Sequence, residues 1–174
     1  MKKSFTLLEV VISITIFMIL LIFLYKTFDQ TKHSNKKFVN LTQNLKYENN
    51  LNDIFLEDII ESISDIEINI DNDKNSIVRF KSINTYHNPF LYNIVYMISS
   101  NNKLLRIESK EKFKFGETEL EFFDYSFIDI LLEDIEYFEV KEKAINTNKS
   151  YAFIIKQKNK DRIIFNTYKF NNVK

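Results

Sequence analysis

Cysteine is absent from this chain of 174 residues, which excludes a disulfide framework, a thiolate metal site and a thiol nucleophile. That absence fits an oxidising or a reducing compartment equally. Glycine and proline occur once each, as Gly116 and Pro89, so a glycine-rich phosphate-binding loop cannot be built. Turns then fall to asparagine and aspartate, which tolerate left-handed backbone and bond their own main chain. Lys+Arg and Asp+Glu balance at 24 each, and the zero net charge points to neither a nucleic acid nor an acidic lipid surface. The two histidines, His33 and His87, lie far apart and pair with no carboxylate at helical metal-site spacing, so both read as solvated side chains. With no nucleophile motif either, the chain is not expected to be an enzyme, to need a cofactor or to take a small-molecule substrate.

What the chain does have is a long hydrophobic run at its start. Lys2-Lys3-Ser4 precedes Phe5-Thr6-Leu7-Leu8-Glu9, and residues 10–25 carry no charge. Residues 5–25 would span roughly 31 Å as a helix at about 1.5 Å per residue, matching a hydrocarbon core of about 30 Å. No small-residue cleavage site follows, so a conventional signal peptide is excluded and the segment stays as an anchor. Orientation is weakly marked, because Lys2 and Lys3 precede the run while Lys26, Lys32, Lys36 and Lys37 follow it. One carboxylate, Glu9, enters the run near its beginning. A charge at the centre of a membrane helix costs roughly 2.5–3.5 kcal/mol on insertion scales, so Glu9 needs a partner. The next cation downstream is Lys26. The partner is therefore expected from another chain, or from a new amine made by cutting before Phe5.

Residues 2–25 resemble the processing motif of type IV pilins and type II secretion pseudopilins. In that family prepilin peptidase removes a short basic leader, the new terminal residue is N-methylated, and a glutamate at the fifth mature position pairs with a neighbour's terminal amine. The resemblance implies a leader over residues 1–4, cleavage between Ser4 and Phe5, methylation of Phe5, and assembly through Phe5 and Glu9. Ser4, a small residue, stands before the cut where the family usually has glycine, a departure that bears on the efficiency of cleavage. A second resemblance, to the J-type minor pseudopilins, rests on Leu56-Glu57-Asp58-Ile59-Ile60, Ile94-Val95-Tyr96-Met97-Ile98 with Lys103-Leu104-Leu105-Arg106, and Leu131-Leu132-Glu133-Asp134-Ile135-Glu136-Tyr137-Phe138. It implies a structural subunit at the tip of a secretion pseudopilus, held in the inner membrane with its carboxy-terminal domain periplasmic. The implied partners are other minor and major pseudopilins, prepilin peptidase and inner-membrane lipid, with no nucleic acid expected. The alternatives are a minor pilin of a type IV or DNA-uptake pilus and an uncleaved single-pass anchor bearing a periplasmic binding domain.

Past the run, no proline or glycine interrupts residues 26–65, and Leu41, Leu45, Leu51, Ile54, Phe55, Ile59 and Ile63 keep helical spacing. One helix over residues 5–65 is expected, membrane-spanning to 25 and amphipathic from 26, with Leu41, Leu45, Phe55, Ile59 and Ile63 laid on a sheet. From residue 66 the period changes to two, with strands expected over 66–70, 77–80, 92–96, 103–108, 120–123, 135–141, 152–157 and 162–170. Ser99-Ser100-Asn101-Asn102 and Asn159-Lys160-Asp161 read as hairpin turns. The expected fold class is α+β and pilin-like: a long amino-terminal helix packed on one antiparallel β-rich domain over residues 66–174. Asp71-Asn72-Asp73-Lys74-Asn75 imitates the opening of a calcium loop, so Asp71, Asp73 and Asn75 are a calcium candidate. Ser76 and Ser82 stand where such a loop needs Gly and Glu, and an Asx-rich turn explains the string better. Glu117, Glu119 and Glu121, and likewise Glu133, Asp134 and Glu136, read as solvated acidic faces of strands, open to a basic partner surface.

Overall fold

The computed structural model describes residues 6–114, 116, 120–145 and 148–169. Its elements run α1 (Leu7–Ile60), β1 (Glu67–Ile70), β2 (Ser76–Lys81), β3 (Asn93–Ile98), β4 (Leu104–Ser109), α2 (Glu121–Asp124), β5 (Phe127–Leu132), β6 (Ile135–Ile145), β7 (Asn148–Gln157) and β8 (Arg162–Lys169). The chain forms two compact units, Met1–Asn49 and Asn50–Lys174. Within the first, the described residues beyond Thr6 are helical, and the large apolar side chains of that helix are exposed, Leu41 and Leu45 included at 61% and 60%. Those two leucines therefore do not belong to the sheet-covering stripe expected of them.

The second unit begins with the last turns of α1. Leu51, Phe55 and Ile59, spaced four apart, form one stripe and are fully buried. Helix α1 ends at Ile60, five residues short of expectation, without glycine or proline. The Ser62 hydroxyl donates to the Ile59 carbonyl at 2.7 Å, satisfying one of the open acceptors at the helix end. The backbone then turns into pairing: Ser62 bridges Ser82, and the Ile63 N–H donates to the Lys81 carbonyl at 2.8 Å.

All strand pairs are antiparallel. A five-stranded sheet has the order β1-β2-β3-β4-β5, and a three-stranded sheet the order β6-β7-β8. The main core joins both sheets to the helix stripe, with Phe55 stacked on Phe153 at 4.5 Å and tilted against Tyr96 at 5.1 Å. The sheets are also stitched through side chains. The Asn75 Oδ1 accepts the Phe138 N–H at 3.1 Å and the Ser76 hydroxyl oxygen accepts the Val140 N–H at 2.9 Å, capping backbone donors of β6 that would otherwise be buried and unpaired.

On the opposite face of the larger sheet Ile77, Val95, Ile107 and Phe113 form a second, smaller core. Here residues 121–124 are helical, where a strand was expected. Phe122 and Phe123 both reach Phe113, with ring centroids at 5.6 and 6.4 Å. Strand alternation would put these consecutive rings on opposite faces, whereas a helical turn brings both to one. Strand β5 was not expected as a separate element. Positive φ falls on Asn102, Asp134 and Asn159, as the scarcity of glycine requires, and also on Lys74. Together these elements are an α+β layout consistent with a pilin-like fold.

Candidate functional site

At the start of α1, Thr6 stands just before the first helical residue and Glu9 in the first turn. The Glu9 Oε2 accepts the Thr6 backbone N–H at 2.9 Å and the Thr6 hydroxyl at 3.1 Å, while the Glu9 N–H donates to the Thr6 Oγ1 at 3.3 Å. This is a reciprocal capping box, the Thr-x-x-Glu arrangement that satisfies two open donors of a helix start. The Glu9 carboxylate thus has hydrogen-bonding partners inside its own chain. They are neutral, however, and no cation pairs with Glu9 among the described residues. Hydrogen bonds lower the cost of keeping that carboxylate out of water without removing its charge. Ser4 and Phe5, the expected processing pair, lie outside the described residues.

Beyond Glu9 the hydroxyls follow the rule for helices without water. Ser13 donates to the Glu9 carbonyl at 2.7 Å and Thr15 to the Ile12 carbonyl at 2.8 Å, so neither leaves a polar atom facing the surroundings unpaired. Helix α1 is long and apolar enough to cross a membrane, and its apolar window is wholly unburied within the chain. Such a surface needs lipid or other helices around it.

In the second unit a buried polar site gathers residues from α1, β3, β4 and the loop before β3. Asp58 occupies the helix stripe, seven residues after Leu51, and enters the core with it. Its carboxylate meets the Arg106 guanidinium through two bonds, Nε to Oδ2 at 2.7 Å and Nη2 to Oδ1 at 3.0 Å. The Tyr96 hydroxyl also donates to the Asp58 Oδ2. Arg106 spends its remaining donors on the Glu108 Oε1 at 2.5 Å and the Asn84 carbonyl at 3.0 Å. The Glu108 carboxylate in turn accepts the backbone N–H groups of Tyr86 (2.6 Å) and His87 (3.1 Å), fastening the 84–92 loop to the sheet.

Asp58, Tyr96, Arg106 and Glu108 have essentially no exposed surface. Burial alone would lower the Arg106 pKa, but the hydrogen bond and charge of Asp58 outweigh it and hold the guanidinium above its ordinary value. Burial first, and the Asp58 charge second, push the Tyr96 hydroxyl well above the ordinary phenol range, so it remains a donor. Among the described residues the site presents no unpaired nucleophile. What it can do is lock the end of α1 to the sheet.

The other candidates separate. His87 is not simply solvated: its ring stacks on Phe127 at 4.6 Å and its Nε2 lies 3.0 Å from Asp129, with both partners about one-third exposed. His33 is exposed on α1. Asp71 Oδ1 accepts the N–H groups of Asp73 (2.9 Å) and Asn75 (2.8 Å), the geometry of an Asx turn, while the Asn75 oxygen is taken by Phe138. Among the described residues no group of three or more His, Asp or Glu side chains is placed to hold a metal. Glu121 sits in α2 rather than on a strand, Glu133 and Asp134 lie in the β5–β6 turn, and Glu117 and Glu119 fall outside the described residues.

No curated protein and no solved structure matches this chain. The prokaryotic N-terminal methylation motif, by contrast, matches residues 1–25, the segment that holds Glu9 and the apolar run. The chain therefore carries the amino-terminal methylation motif of type IV pilin-like proteins, a structural rather than catalytic class, at the head of a helix able to anchor it in a membrane.

Proposed function

We propose that this protein is a minor pseudopilin of a type II secretion pseudopilus, belonging to its tip complex and supporting export across the outer membrane. Prepilin peptidase cuts between Ser4 and Phe5, and Phe5 is N-methylated. Residues 5–25 hold the subunit in the inner membrane, with the β-rich domain in the periplasm, until it joins other minor and major pseudopilins. The apolar surface of α1 then exchanges lipid for neighbouring helices, and Glu9 trades its neutral Thr6 cap for the amine at Phe5 of the adjacent subunit. The charge pair sets axial register more than net stability, because pairing in low dielectric mainly offsets desolvation. No cofactor takes part, and the Asp71 loop serves as a turn rather than a calcium site.

The observation that carries this reading is the methylation motif on a helix whose apolar side chains are unburied within the chain. The J-type assignment is supported by convergence: Asp58, Tyr96 and Arg106, each from one of the strings that resemble that subfamily, meet at the buried site. The test is photocrosslinking in membranes with benzoylphenylalanine in place of Phe17, an exposed ring in the apolar run. Adducts with other pilin-type subunits are expected. Adducts with lipid alone, in cells that are assembling the filament, would instead describe a solitary anchor.

A further inference from the structure

Two strands of the second unit are terminal in their sheets and differ in charge. Strand β5 closes one side of the five-stranded sheet, and β8 closes one side of the three-stranded sheet. Apolar rows run across the larger sheet and stop in the open: Val95 and Ile107 lead to Ile128, and Met97 and Leu105 lead to Ile130. Ile128 and Ile130 are 42% and 54% exposed. The one charge on the 127–130 segment, Asp129, is engaged by the His87 ring at 3.0 Å and lies 3.8 Å from the buried Arg106 guanidinium. On β8, Ile164 and Tyr168 alternate on the outward face and are each 47% exposed.

The flanking charges are opposite. Residues 120–140 contain seven Asp or Glu and no Lys, Arg or His. Lys103 and Lys141 pair with Glu133 and Glu139, which leaves Glu121, Asp124, Asp134 and Glu136 without a cation among the described residues. Residues 156–169 contain five Lys or Arg against one acid, Asp161. In a chain of zero net charge, these two edges are a matched pair.

We propose that β5 of one copy takes β8 of a second copy as its next strand. Backbone hydrogen bonding continues the sheet, Ile164 extends the row that ends at Ile130, and the basic ends of β8 meet the acidic flanks of β5. The contact is heterologous, joining different surfaces of the two copies, so it repeats head to tail. A contact four to six residues long is small, and its strength depends on copies being held at high local concentration by their anchors. It goes beyond the helix-to-helix assembly proposed above and stands on the β-rich unit.

The absence of native cysteine gives a direct test in membranes carrying the full chain. Ile130→Cys and Ile164→Cys are made separately, both at exposed positions, and the two variants are expressed together or singly before treatment with a flexible bismaleimide. The expected result is a crosslinked dimer in the mixture at about tenfold the yield of either variant alone, falling severalfold between about 0.05 M and about 0.5 M salt. A third change, Ile128→Lys on the Ile130→Cys chain, is expected to remove the adduct by placing a cation on the edge. Equal yields in mixed and single samples, dimers of Ile130→Cys alone, or no adduct in any sample would overturn the proposal. Loss of the Phe17 photoadducts with this crosslink retained would fault the helix assembly and leave the β5–β8 contact standing.

Discussion

Arg106→Ala is expected to destabilise the β-rich unit by about 3–5 kcal/mol, since it strands two buried carboxylates at once. Asp58 would lose both of its guanidinium bonds and Glu108 its one cation among the described residues, leaving two buried charges uncompensated. Against a total stability of about 5–15 kcal/mol for an ordinary domain, that is a large fraction. Arg106→Lys is expected to recover only part of the loss. An ammonium can neutralise the site but cannot fork to Asp58 while still reaching Glu108 and the Asn84 carbonyl. Urea unfolding of the wild-type chain and both variants measures this, with the slope against denaturant expected to stay constant. A loss below about 1 kcal/mol for Arg106→Ala would mean that the pairing is not what holds the helix end to the sheet.

Removing the charge of Glu9 is expected to stop assembly without preventing insertion. Glu9→Ala alone cannot separate two roles, because it deletes both the helix cap and the charge. Glu9→Gln separates them. Glutamine at this position can still accept from Thr6 and complete a capping box, but it offers no counter-charge to an amine. Leaving the partner amine buried and unpaired costs about 3 kcal/mol or more, equivalent to roughly a hundredfold fall in incorporation. Both variants should fractionate with the membrane as the wild type does. The measurement is the amount of each variant in sheared filaments, with Glu9→Gln expected to fail nearly as badly as Glu9→Ala. Normal incorporation of Glu9→Gln would assign Glu9 to capping alone.

The layout was legible because periodicity reports burial directly. Leu51, Phe55 and Ile59 mark the core stripe, and the change to period two near residue 66 marks the start of the strands. Structure and sequence pattern part where a local pattern meets a tertiary demand. Leu41 and Leu45 continue the helical spacing, yet periodicity identifies an apolar face without saying what covers it. The helix stops at Ile60 because residues 62 and 63 find partners on the 81–82 segment, a contact separated by some twenty residues of sequence. The sequence from Glu117 to Phe122 alternates like a strand, but Phe122 and Phe123 are wanted on the same side by Phe113.

The buried site carried signals that alternation alone could have flagged. Asp58 sits on an apolar helix stripe, and Arg106 and Glu108 share a strand face with buried Leu104. A charge on a core face announces a partner, though its identity depends on the fold. The Thr-x-x-Glu box was equally readable at Thr6 and Glu9. There one carboxylate carries both the cap and the charge. The opening motif was the most readable feature of all, because an ordered string with a fixed offset to an acid needs no tertiary context.

Mass spectrometry of the amino terminus of the native protein tests the central claim most directly. The mature chain is predicted to begin at Phe5, lacking Met1–Ser4 and carrying one additional methyl group on its terminal nitrogen. A chain that still begins at Met1 in cells with an active prepilin peptidase would contradict the account, because Glu9 would then have no neighbouring amine to meet.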